Sequence, residues 1–132
     1  VFYFREESEL PLNIQELLMI MTARAKDCQY IWFAHAAGAR KQGISDAFVD
    51  ALRDKKPLPK LQDAEQIVVD YATELFGTNR VSEGTFKAAL DHFGPQLLTE
   101  LTTMMGYYSM LALNVNAFDV DVPTGGEAPL MV

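Results

Sequence analysis

A chain of 132 residues, 49% of them hydrophobic, is long enough for one buried core, too apolar for general disorder and too short for two domains. Its formal charge of −7 argues against nucleic acid as the main partner, because phosphate recognition needs a basic face. One cysteine makes no internal disulfide, and charges follow Val1-Phe2-Tyr3-Phe4 at once, which is unlike a signal peptide; the expected location is cytoplasmic, and an opening Val allows for a further N-terminal piece.

Residues 1–10 read as an incoming arm, apolar and then acidic. Pro11 suits a first helical turn, which predicts a helix over Pro11 to Lys26 with Leu12, Leu17, Ile20 and Met21 facing inward. After Asp27-Cys28, a second helix runs from Gln29 to Gln42 and stops at Gly43, with Arg40 and Lys41 in its last turn. Ser45 caps a short helix to Arg53, with Ile44 and Val49 placed as a hydrophobic staple. Residues 54–59 form a proline-bound linker. Asp63 and Gln66 resemble a capping box before a helix whose apolar residues, Ala64, Ile67, Val68, Tyr71 and Leu75, keep helical spacing. Ser82, between Val81 and Phe86, opens a helix to His92, and Gly94-Pro95 restarts the chain into the longest one, Pro95 to Ala117. Residues 121–132, with Pro123, Gly125, Gly126 and Pro129, predict an extended or loose tail. No segment alternates like a strand, so the fold class is all-α, with about six helices in one domain over residues 11–120.

Two longer patterns qualify that outline. Residues 1–60 hold nine Lys/Arg against eight Asp/Glu and residues 61–132 two against ten, so an anionic ligand would approach through the first half. From Leu101 to Phe118 there is no Asp, Glu, Lys, Arg or His. That length is at the short limit for a membrane span and carries Thr, Ser, Asn and Gly. The expectation is a helix buried on all sides within the domain or an oligomer, with no membrane partner.

The chemistry concentrates between Glu16 and His35. Cys28, the one cysteine, and His35, one of two histidines, are seven residues apart, close to two helical turns, so they share a face that Glu16 can join from the preceding helix. A thiol at a helix start favours thiolate, an imidazole moves protons near neutral pH, and a carboxylate can orient that imidazole. The plainer alternative is a small buried cysteine and a core histidine. His92 beside Asp91 reads as a helix-end cation, and the methionines as core or interface filler. No Cys/His spacing suits a metal, and none of the patterns asks for a cofactor.

Glu16, Cys28, Tyr30, Trp32 and His35, followed by Ala39 and Gly43-Ile44-Ser45, resemble the carboxymuconolactone decarboxylase family, which includes the alkylhydroperoxidase D-like proteins. Further matches are Tyr71-Ala72-Thr73-Glu74-Leu75, Val81-Ser82, Thr85-Phe86, Leu97-Leu98, Glu100-Leu101, Gly106-Tyr107-Tyr108 and Asn116-Ala117, so the resemblance spans about residues 9–122. It implies a helical bundle assembled as trimers or hexamers, a small-molecule substrate, catalytic roles for Glu16, Cys28 and His35, and a pocket touched by Tyr30, Ile31, Trp32 and Tyr107. In the hydroperoxidase branch two cysteines reduce peroxide through a disulfide. Ile31 stands at the second position, so this chain cannot close that bond within one subunit, and Cys28 oxidised to a sulfenic acid would need an outside thiol. In other branches that position is often acidic, and Ile31 removes that carboxylate too. The reactions implied are decarboxylase-like acid–base chemistry or single-thiol peroxide reduction; a non-catalytic helical scaffold is the third reading.

Overall fold

Pro11 opens the first helix and Gly43 follows the second in a computed structural model that describes residues 8–132; most of the predicted arm therefore lies outside the described residues. Five helices follow in order: α1 Leu12–Ala25, α2 Gln29–Lys41, α3 Asp46–Arg53, α4 Asp63–Thr78 and α5 Glu83–Ala117, with no strand among the described residues. Pro11, at φ −56° and ψ 147°, is the cap of α1 rather than its first turn, and its carbonyl accepts the N–H groups of Ile14 and Gln15. Ser45 caps α3 as its sequence predicts, its hydroxyl accepting the Phe48 N–H at 3.2 Å, and Ile44 and Val49 are both buried beside it.

The α1 helix is the centre of the molecule, packed against α2, α4 and α5. Leu17, Leu18, Met19, Ile20, Met21 and Ala23 are all buried, which explains why its sequence shows so little polar face. Leu17, Ile20 and Met21 lie inward as expected; Leu12 does not, being 55% exposed on the outer side of a turn whose Leu10 and Ile14 are buried.

One capping expectation changes, and one boundary takes the form of a kink. The α4 helix is capped by Gln62 without a side-chain hydrogen bond, Asp63 has a left-handed φ of 45°, and Gln66 Oε1 accepts the Leu61 N–H at 2.8 Å, so the Asp63–Gln66 box does not form. The break expected at Gly94-Pro95 is present: helical chain lies on either side of it, joined across a kink and numbered together as α5. Gly94 sits at φ 80° and ψ 166°, a conformation open to glycine, and Pro95 resumes the helix where a missing N–H costs nothing. The five elements among the described residues thus count the two helical stretches around Gly94 as one.

No helix of the described residues is long and apolar enough to cross a membrane. The uncharged stretch of α5 buries Leu101, Met104, Met105, Tyr108 and Ala112 but exposes Met110, Leu113 and Phe118, so a single chain covers it on one side only. The tail after α5 is extended yet not loose. Ala128 O accepts the Trp32 indole N–H at 3.0 Å, the Gln29 amide bonds both Leu130 O and Leu130 N, and Met131 N–H reaches Arg53 O. Leu130 is buried, and Arg40 joins Glu127 of the tail to Asp46 and Asp50 around α3. Burial opposes the charge on Arg40, but hydrogen bonds to Asp50, Asp46 and Glu127 outweigh it and hold the guanidinium more firmly protonated than usual.

Candidate functional site

The α1–α2 hairpin turns at Asp27, a non-glycine residue at φ 48°, and closes with the Cys28 N–H donating to Ala23 O at 2.8 Å. An antiparallel pair of this kind brings residues from either side of the turn face to face. Glu16 and His35 meet in this way: Glu16 Oε2 lies 2.9 Å from His35 Nδ1. Their side chains are 24% and 13% exposed, so the pair is sheltered from solvent without being sealed from it. With the carboxylate at Nδ1, that nitrogen carries the proton and Nε2 is the ring atom left to face a reactant.

Around the pair the lining is aromatic and tight. Tyr108 of α5 stands edge-on to His35, with ring centroids 6.3 Å apart, and Tyr107 stands edge-on to Tyr108 at 5.4 Å. Gly38, three residues beyond His35 on α2, leaves room for the Glu16 carboxylate; a Cβ there would lie 3.1 Å from Oε2 and 3.2 Å from Cδ. Gly38 does not stand out by sequence as a site residue, whereas Tyr108 belongs to the Gly106-Tyr107-Tyr108 match. A glycine amid Ala36, Ala37 and Ala39 reads as general smallness until its neighbour across the hairpin is known.

The other expected residues are placed differently. Cys28 caps α2 and is fully buried, and among the described residues no hydrogen bond joins it to Glu16 or His35. Two helical turns are about 10 Å along the axis, so sharing a face does not by itself bring the sulfur to the ring. Ile31 and Trp32 are buried, and the indole N–H of Trp32 is engaged by the tail. Tyr30 is 41% exposed and lines a separate cavity of about 380 Å³ with Asp27, Asn116 and Asp119. Three further cavities lie between α4 and the kinked α5, under the tail at Phe33 and Pro123, and between α1 and α4 at Met21 and Phe76; none of the four is lined by Glu16, Cys28 or His35. Among the described residues no group of three or more His, Cys, Asp or Glu is arranged to hold a metal ion.

No protein-family model matches the sequence, and no curated protein does. The structure is similar to that of an Agrobacterium tumefaciens protein of unknown function, described provisionally as the antioxidant defence protein AhpD. The TM-score is 0.79 at 14% identity, over 93% of this chain and 85% of that one. At that identity the similarity establishes the fold: an AhpD-like all-α arrangement, in agreement with the resemblance read from the sequence.

Proposed function

We propose that this AhpD-like chain is an acid–base enzyme of the decarboxylase-like lyase type, acting on a small carboxylated substrate through His35 and Glu16. The observation that carries the reading is the 2.9 Å contact between Glu16 Oε2 and His35 Nδ1, a carboxylate-oriented imidazole that stays partly open to solvent. In the step envisaged, the carbon–carboxylate bond breaks, CO₂ leaves, and the bonding pair remains on the substrate as an enolate or dienolate. The imidazolium gives its Nε2 proton to carbon, and the ring recovers a proton from water. Glu16 holds the ring by Nδ1 and so fixes which nitrogen faces the substrate. The test is turnover of small carboxylated lactones by the intact protein. His35→Ala and Glu16→Gln are expected to lower kcat by about 10²–10⁴-fold with the fold unchanged by circular dichroism; retained turnover removes both roles.

A second reading, peroxide reduction through Cys28, is supported by the AhpD-like fold and opposed by the complete burial of the thiol. The thiolate would attack a peroxide oxygen, the O–O bond would break with loss of water or an alcohol, and an external thiol would reduce the sulfenic acid. Rapid dimedone labelling of Cys28 after peroxide addition, with the native fold kept, would favour it over the lyase reading.

We further propose that the chain works as a homo-oligomer, trimeric or hexameric. The exposed Met110, Leu113 and Phe118 on the uncharged stretch from Leu101 to Phe118 support a second copy as the cover. Leu113→Glu is expected to shift the sedimentation coefficient toward that of a single chain; an unchanged value removes this face from the assembly.

A further inference from the structure

The α2 helix contains one glycine, in the run His35-Ala36-Ala37-Gly38-Ala39, and no turn or left-handed backbone requires it, since Gly38 lies inside the regular helix. Glycine in a helix interior is less favourable than alanine, so its presence calls for a local cause. The cause is visible across the hairpin. A Cβ built on Gly38 would stand 3.1 Å from Glu16 Oε2, 3.2 Å from Cδ and 3.4 Å from Oε1, tighter than Cβ contacts usually run, so an added methyl would press on the carboxylate. No other described helical glycine has such a neighbour: at Gly77, Gly84 and Gly106 a Cβ would meet nothing within 4 Å. The same Oε2 atom makes the 2.9 Å contact to His35 Nδ1.

We propose that Gly38 is a positioning residue of this site: its missing side chain is what lets the Glu16 carboxylate lie against α2 and hold the His35 ring by Nδ1. The inference deepens the acid–base reading and rests on it for the consequence in turnover, while the positioning itself is judged without any substrate. A methyl group at position 38 would crowd the whole carboxylate. The flexible Glu16 side chain would yield before either backbone does, by a few tenths of an ångström, lengthening or bending the contact of Oε2 to the ring. The imidazole would then be held more weakly by the partner that selects its tautomer, and Nε2, the atom facing a reactant, would more often carry the proton in the neutral ring.

The experiment is Gly38→Ala, read by the ¹⁵N resonances of the His35 ring at a pH where it is neutral. Wild type is expected to show a protonated Nδ1 and an unprotonated Nε2, and Gly38→Ala a shift of population toward protonated Nε2, with helix content kept and the melting temperature equal or higher. Turnover should fall on the order of ten- to a hundredfold, the scale of a small misplacement of a catalytic group. In a Glu16→Ala background the same substitution should leave the ring resonances unmoved, because the carboxylate it displaces is gone. Unchanged resonances in Gly38→Ala would overturn the proposal, as would a shift that persists without the carboxylate. A tautomer shift with full turnover would support the positioning role and sink the acid–base reading instead.

Discussion

Glu16 and His35 sit midway along the α1–α2 hairpin, whereas Cys28 is closed off at its turn, and this separation decides what each side chain can do. A buried thiol reacts when the protein opens, not when a reagent collides with the surface. Cys28 is therefore expected to label with a thiol reagent at neutral pH far more slowly than a free model thiol, and to become fully reactive in denaturant; equal rates for native protein and model thiol would contradict its burial. The acid and the imidazole are legible in the sequence because few residue types do their chemistry. That no hydrogen bond joins the cysteine to them among the described residues is not, since a shared helical face specifies direction and says nothing of the distance along the axis. Gly38 was hidden for a different reason: its role exists only relative to a residue on another helix.

At the scale of elements, local signals were readable and long-range ones were not. Ser45 behaves as its sequence implies because a cap is settled within four residues. Glu74 is the contrary case. Its position near the end of α4 looks like an ordinary solvated face, yet Oε1 accepts the Ser82 N–H at 2.7 Å and Oε2 the Thr85 hydroxyl, joining the end of α4 to the start of α5. The Thr85 hydrogen bond first, and then that of the Ser82 backbone, hold its carboxyl below the usual glutamate range. A depressed folded-state value contributes stability that is present above the ordinary carboxylate range and lost as the pH falls through it toward the folded value. Glu74→Gln is accordingly expected to be less stable than wild type to urea at neutral pH and to match it in strong acid, where both side chains are neutral. A deficit that is the same at both pH values would show that charge is not what Glu74 supplies.

Across the whole molecule, the all-α class and the order of the helices follow from periodicity and breakers, because each helix must hide an apolar stripe. The tail did not follow, since its composition of proline and glycine describes an extended chain equally well whether free or docked. What docks it is scattered over 101 residues of sequence, from Gln29 to Leu130. Leu130→Ala should cost about 2 kcal/mol or more, as for other buried leucines, measured by chemical denaturation; a cost near zero would mean that residues 127–131 add nothing to the folded state.

The indole N–H of Trp32 ends on Ala128 O, and Trp32 is the one tryptophan in the chain. The protein thus carries a built-in fluorophore whose polar edge is tied to the last few residues rather than to the bundle. Its emission can register undocking of the C-terminus while far-ultraviolet dichroism, which counts helical turns, stays level. Two optical channels on one unlabelled sample would then separate release of the strap from melting of the core.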